Sequence, residues 1–324
     1  MKKIGILTSG GDAPGMNAAI RAAVRSGIDR GMEVYGIRRG YEGLLDGEIE
    51  KMTWQSVGDI LQRGGTILRT ARSKRFMEAK WVDHGVRILE TFGIEGVIVI
   101  GGDGSLAGGL ELSKRGIPVM GLPGTIDNDL AYTEYTIGFD TAVNNVLEMI
   151  SKIRDTSSSH ERATVIEVMG RDCGDLALYA GLSGGADVIL IPEVEVDMNE
   201  VCRRVIRGQN TGKAQSIIIK AEGVKMDATE MARFVEETTG REARAVVPGY
   251  IQRGGNPTEK DRRLASMSAA KAVELLYNDS SSKAIGIQNG KITAIDLAEA
   301  LSVPREFKKE VYDLTEILSK AGRD

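Results

Sequence analysis

Residues 98–109 read IVIGGDGSLAGG: an apolar run breaks into five glycines over residues 101–109, set around a single acid, Asp103. Glycine has no Cβ, so a ligand can approach its backbone closely. Exposed backbone N–H groups at the start of a helix attract anions, and the stretch has the form of a phosphate cradle at a strand-to-helix turn. A carboxylate inside such a cradle would repel a bare phosphate. A magnesium ion between the two resolves the conflict, because Mg²⁺ is typically held by one or two carboxylates together with phosphate oxygens. Asp103 is therefore a candidate ligand of a metal–nucleotide, or else a cap for a helix starting near Ser105. Gly102, Gly104 and Ala107 also satisfy G-x-G-x-x-G/A, but no acid ends the next apolar run, which closes on Pro123 and Gly124.

Working outward, short and nearly continuous apolar runs recur at 3–9, 33–38, 96–102, 117–124, 163–170, 187–192, 215–223, 244–249 and 283–290. Strands buried on both faces have this character. Helical spacing lies between many of them, as at Ile20, Val24 and Ile28, and at Phe139, Val143, Val146 and Ile150. The alternation predicts α/β layers with mostly parallel sheets, and so many strands favour two domains over one. The tetrapeptide QRGG occurs at 62–65 and 252–255, either as two similar turns or as a functional pair.

The 324 residues are 42% hydrophobic and 27% charged, with a net charge of −4, so nucleic acid is not the expected partner. No apolar run approaches the ~18–20 residues that span a bilayer, and the N-terminal run is too short for a signal peptide and reads as a first strand. Two cysteines, Cys173 and Cys202, suggest a reducing cytoplasm rather than a disulfide framework. Two histidines, His84 and His160, disfavour a multi-histidine metal site and point to a carboxylate as general base.

Ligands of open α/β sheets sit at the carboxyl ends of strands. After the first run, Gly10 and Gly11 precede Pro14–Asn17, which open a helix; this is an anion seat or a plain strand–helix turn, without the Lys-Ser/Thr of a Walker A loop. After the 117–124 run comes PGTIDNDL, with Thr125, Asp127 and Asp129 around Asn128. Two acids near a metal–nucleotide suit phosphoryl transfer, one as base and one for the metal, although an Asx-type turn has the same composition. Phosphoryl transfer also calls for convergent cations, and Arg72, Arg162, Arg171, Arg244 and Arg253 stand in loops.

Together LTSGGDAPGMNAAIR, VIGGDGS, GLPGTIDND, IRDTSSSHER, IEVMGR and GYIQRGGNP resemble, in order and spacing over essentially the whole chain, the bacterial-type 6-phosphofructokinases. The resemblance implies two Rossmann-like α/β/α domains, with 1–138 plus 251–300 binding ATP and 139–250 plus 301–324 binding fructose 6-phosphate. It implies phosphoryl transfer from Mg-ATP to the sugar 1-hydroxyl. Gly11, Arg72, Gly102, Asp103, Gly104 and Ser105 would then bind Mg-ATP, with Asp103 and Asp129 serving the metal. Asp127 would be the base, with Thr125 beside the transferred group and Arg171, Arg72 and Gly11 assisting the transfer. Ile126, Met169, Gly170, Glu222, Tyr250, Ile251, Gln252 and Arg253 would contact the sugar phosphate. Arg162 and Arg244 would reach it from a neighbouring subunit of a homotetramer. Glycine at 104 and 124 implies ATP, because pyrophosphate-using relatives resemble the pattern with aspartate and lysine there.

Two departures stand out. Tyr250 occupies a position where the family usually has histidine. The effector site implied for ADP or phosphoenolpyruvate would comprise Arg21, Arg25, Asp59, Arg154, Gly185, Asp187 and Lys213. It loses cations at Trp54, Thr211 and Ala214 and has aspartate for glutamate at 187, which implies weaker or altered control. The other readings of the motifs are a pyrophosphate-dependent enzyme of the same fold, a nicotinamide dehydrogenase, and a sugar-phosphate sensor without turnover.

Overall fold

The structure, a computed structural model, describes residues 1–278 and 281–319. The expected second domain extends to residue 324, and its last five positions lie outside the described residues. The main chain divides into two compact units, Met1–Thr141 with Arg253–Arg305, and Ala142–Gln252 with Glu306–Asp324.

In chain order the elements are β1 (Lys3–Thr8), α1 (Met16–Asp29), β2 (Glu33–Ile37), α2 (Gly40–Leu45), β3 (Ile49–Met52), α3 (Ala79–Phe92), β4 (Gly96–Gly101), α4 (Asp103–Ser113), β5 (Val119–Thr125) and β6 (Ile137–Gly138). There follow α5 (Phe139–Ser159), β7 (Ala163–Val168), α6 (Asp175–Gly184), β8 (Val188–Leu190), α7 (Met198–Asn210), β9 (Ser216–Ala221), α8 (Ala228–Thr239) and β10 (Ala243–Val246). The last are α9 (Glu259–Asn278), β11 (Lys283–Gln288), β12 (Lys291–Asp296), α10 (Leu297–Ser302) and α11 (Lys309–Leu318). The first unit is built on a sheet ordered β12-β11-β5-β4-β1-β2-β3, with β6 beside β5. The second is built on a sheet ordered β10-β7-β9-β8. Pairing is parallel throughout except at β2–β3 and β11–β12.

Strand β4 is buried along its whole length, as its unbroken apolar run requires. Helices cover the sheet faces. Leu106 and Leu112 of α4, Leu44 of α2 and Leu89 of α3 join Val97, Val99 and Val119 in one core cluster. In the second unit Val201 and Val205 of α7 and Met231 and Val235 of α8 pack on Val165 and Ile218. Each of the nine apolar runs overlaps a strand. The strands that the sequence did not announce are β3, the two-residue β6 and β12. β3 and β12 are edge strands whose exposed residues dilute the apolar signal.

The repeated QRGG closes on itself. A Cβ on Gly64 would lie 2.3 Å from the Gly255 carbonyl oxygen, so the two copies touch backbone to backbone. Buried Asn17 holds the first copy, donating to the Arg63 and Gly64 carbonyls at 3.1 Å each and accepting from Ile67 N–H at 2.8 Å.

Asp261 of α9 is 1% exposed and accepts hydrogen bonds from Gly138 N–H (2.9 Å), Thr141 N–H (2.8 Å) and Thr141 Oγ1 (2.5 Å). Burial pushes its carboxyl up to about 6, beyond what these donors offset. In that range the native chain keeps a proton that the unfolded chain releases, so this group's contribution to stability is lost as pH rises from about 4 to about 6. Asp261→Asn cannot titrate. We expect its melting temperature, measured relative to wild type, to improve steadily between pH 4 and 7. A difference that stays constant across that range would contradict the assignment.

Candidate active site

β5, β4 and β1 are neighbours, and their parallel pairing brings three strand-end segments to one edge of the sheet: residues 9–15, the cap and first turn of α4 at 102–105, and residues 125–129. The segments are in contact. A Cβ on Gly10 would lie 3.2 Å from Ser105 Oγ, and one on Gly102 would lie 3.6 Å from Thr125 Cβ. Gly11 faces the guanidinium of Arg253, 3.4 Å from where its Cβ would be. The structure thus groups Gly11, Gly102, Asp103, Gly104, Ser105, Thr125, Ile126, Asp127, Asp129 and Arg253 in the first unit. Arg72 is exposed on a segment fastened to this edge by two hydrogen bonds, Thr70 Oγ1 to the Gly10 carbonyl (2.7 Å) and Thr8 Oγ1 to the Arg69 carbonyl (2.8 Å).

The five glycines of the 101–109 stretch divide by role. A Cβ on Gly101 would strike the Ser9 carbonyl oxygen and Ser105 at 2.6 Å, and Gly108 and Gly109 admit Tyr41 and Val119 at 2.8 and 2.9 Å. These three serve packing. Gly102 clears its nearest neighbour, and Gly104 has nothing within 4 Å of its Cβ position. Helix α4 starts at Asp103 with Gly102 as its cap, not near Ser105, and Asp103 stands exposed in the first turn. The turn that follows β5 is drawn inward. Asp127 is 3% exposed, and its N–H donates to Thr125 Oγ1 at 3.1 Å.

In the second unit, β7 and β9 are neighbours and bring Met169, Gly170 and Arg171 beside Glu222. Glu222 Oε1 accepts from Gly170 N–H (3.1 Å) and Arg171 N–H (2.7 Å), so this carboxylate anchors the turn that carries Arg171. Arg171 needs an anchor, since it sits at φ 53°, a region that favours glycine. Buried Gln252 accepts from Met169 N–H at 3.0 Å. Tyr250 and Ile251 are 78% and 68% exposed on the short helix Gly249–Arg253. Sequence reasoning missed Glu242, which pairs with Arg162 Nε at 2.8 Å and Arg244 Nη2 at 2.5 Å. Arg162 holds the Glu242 carboxyl below its usual range. An acid two residues before a candidate arginine was the available signal.

The residues expected to bind an effector fall into two groups, one in each unit. On α1, the Arg25 guanidinium lies 4.9 Å from the Trp54 ring centroid, and burial with the neighbouring Arg25 lowers Arg21 from its ordinary value. Asp59 is exposed with φ 52°. In the second unit, Lys213 pairs with Asp187 at 2.5 Å, and Arg154 donates to the Gly184 and Gly185 carbonyls at 2.5 and 3.0 Å. Those cations are thus already matched by groups of their own unit.

The metal fit follows from the donors present. Among the described residues no three His, Cys, Asp or Glu side chains cluster as a metal cage. Exposed Asp103 and half-buried Asp129 instead suit an ion that arrives with phosphate oxygens.

The phosphofructokinase family model matches residues 3–276. The chain belongs to the phosphofructokinase family. An ATP-dependent 6-phosphofructokinase of Clostridium botulinum is 57% identical over 320 residues, which are 99% of this chain and the whole of that one. Phosphofructokinase from Saccharomyces cerevisiae superposes with a TM-score of 0.88 at 36% identity; the match covers 98% of this chain and 47% of the yeast chain. A pyrophosphate-dependent phosphofructokinase from Marinobacter aquaeolei superposes at 0.83 with 20% identity, over 100% of this chain and 93% of that one, and shares the fold. No helix among the described residues is long and apolar enough to cross a membrane.

Gly104 and Gly124 differ sharply in available space. A Cβ on Gly124 would lie 2.9 Å from Ile100 Cγ2 and 3.1 Å from Met16 Cε, whereas Gly104 opens on free space in the first turn of α4. Gly124→Lys is expected to cost roughly 1–3 kcal/mol by overpacking. Gly104→Asp should stay within about 0.5 kcal/mol of wild type, since an acid suits a helix N-terminus. Thermal unfolding of the two variants checks this, and equal destabilisation would contradict it.

Proposed function

We propose that this chain transfers the γ-phosphoryl group of Mg-ATP to the 1-hydroxyl of fructose 6-phosphate, giving fructose 1,6-bisphosphate and ADP, in the cytoplasm. The observation that carries the residue assignment is the contact of three strand-end segments. A glycine turn at the start of α4 beside the buried carboxylate turn after β5, on one sheet edge, supports the reading. Full-length identity to an ATP-dependent 6-phosphofructokinase supports the reaction.

Asp127 takes the proton of the 1-hydroxyl as its oxygen bonds to the γ-phosphorus and the bond to the bridging oxygen of ADP breaks. The Thr125 hydroxyl fixes the backbone at Asp127, so the carboxylate is oriented before the substrate arrives. Backbone N–H groups at Gly11 and Gly102–Ser105 would receive the phosphates, and Arg72 and Arg171 would stabilise the charge that develops on the moving oxygens. Asp103 and Asp129 would hold the magnesium ion, which neutralises phosphate charge when bound. Ile126, Met169, Gly170, Tyr250, Ile251 and Gln252 line the sugar. Glu222 and Arg253 bind the sugar phosphate, while Arg162 and Arg244 serve it from a neighbouring subunit of a homotetramer. Control by ADP or phosphoenolpyruvate is weaker or altered, since Trp54, Thr211 and Ala214 supply no cation and Lys213 and Arg154 are engaged within their own unit.

Gly104 favours ATP over pyrophosphate as donor. Its Cβ direction is open, and an acid placed there would meet the nucleotide's phosphates rather than the protein. The test is a coupled assay for fructose 1,6-bisphosphate with ATP and pyrophosphate as separate donors. We expect turnover with ATP alone, and in Gly104→Asp a KM for ATP raised by about tenfold or more, equivalent to ~1.4 kcal/mol. Turnover with pyrophosphate alone, or with neither donor, would overturn the reading.

A further inference from the structure

We propose that Thr136 is a positioning residue for phosphoryl transfer, holding the Thr125–Asn128 turn so that Asp127 is aimed at the acceptor hydroxyl. The inference rests on the reading of Asp127 as the base. Thr136 is wholly buried, and its N–H and hydroxyl bond to the two residues that flank Ile126 and Asp127. Its Oγ1 donates to the Thr125 carbonyl at 2.7 Å, and its N–H donates to Asn128 Oδ1 at 3.0 Å.

The turn needs such support for local reasons. Asn128 sits at φ 54°, in the left-handed region, which asparagine enters more readily than most side chains and which its buried hydrogen bonds hold here. Its side chain is 6% exposed, and its Nδ2 donates to the Glu134 carbonyl at 3.4 Å. Beyond Thr136 the chain pairs with β5 through only two residues, Gly124 with Ile137 and Thr125 with Gly138. So short a parallel ladder has little hold of its own. The hold comes from the other side, where Asp261 accepts the N–H groups of Gly138 and Thr141 at 2.9 and 2.8 Å. Thr258 N–H adds a bond to Thr141 Oγ1 at 3.0 Å. Thr136 is therefore the link between a frame fixed by α9 and the turn that carries the base. Its hydroxyl is the one donor that Thr136 can lose without altering the backbone.

Thr136→Val keeps shape and N–H but removes the hydroxyl. A base displaced by a fraction of an ångström loses transition-state alignment before it loses substrate affinity. We expect kcat to fall about tenfold or more, with both KM values within about twofold of wild type. Thr136→Ser, which restores the donor, should recover most of kcat. Wild-type kcat in Thr136→Val would overturn the proposal. So would a serine variant as impaired as the valine one, or a KM increase that accounts for the loss. If the valine variant does not fold, Thr136→Cys replaces it, since a thiol is a weak donor. The same kcat-selective loss is expected there, and wild-type kcat overturns the proposal. Wild-type turnover abolished by Asp127→Asn but untouched at Thr136 would refute the positioning role alone. Absence of wild-type turnover would refute the functional reading beneath it.

Discussion

Between the ends of β1 and β4 there is no room for a side chain. A Cβ on Gly101 would meet the Ser9 carbonyl oxygen and the Ser105 hydroxyl at 2.6 Å, and Ser9 N–H already donates to the Ile100 carbonyl at 3.0 Å. This close approach makes the loop after β1 and the start of α4 neighbours. It also leaves Gly102 over Thr125 and Gly104 facing free space. Everything assigned to nucleotide binding hangs on that approach. The glycines nearest the sheet are spent on packing, and the two beyond it have clear space where a Cβ would stand.

The second constraint is how carboxylates are used. Asp261 caps the start of α5, Glu222 accepts the N–H groups of Gly170 and Arg171, and Glu242 is shared by Arg162 and Arg244. In each case an acid holds backbone or cations in place ahead of any ligand. Preorganisation of this kind removes reorganisation cost from the chemical step. Glu242 gives Arg162 and Arg244 a common partner within their own unit.

Much of the fold was legible because parallel strands buried on both faces write themselves as apolar runs; β4, buried from Gly96 to Gly101, is the clearest case. β3 and β12 were not, since edge strands with exposed Glu50, Lys51 and Lys291 carry no such run. Motif reading found the loops at Gly10, Gly102 and Thr125, whose residue types report their chemistry directly. It left open whether Asp103 caps a later helix. The structure instead starts α4 at Asp103 and leaves that carboxylate exposed. What pattern could not reveal is the support: Asn17 under the first QRGG, Thr136 behind the Thr125 turn, and Asp261 behind Thr136. These are single polar residues whose partners lie 8 to 123 positions away in the chain, and only burial makes them matter.

The proposed mechanism turns on Asp127, a carboxylate drawn inward after β5, as the acceptor of the proton in phosphoryl transfer. Steady-state kinetics of Asp127→Asn test it most directly, since the amide keeps the size of the carboxyl group and cannot accept the proton. We expect a kcat lower by roughly two to four orders of magnitude, with KM values for ATP and fructose 6-phosphate little changed. A variant that turns over at near wild-type rate, or that fails only by losing affinity for one substrate, would contradict it.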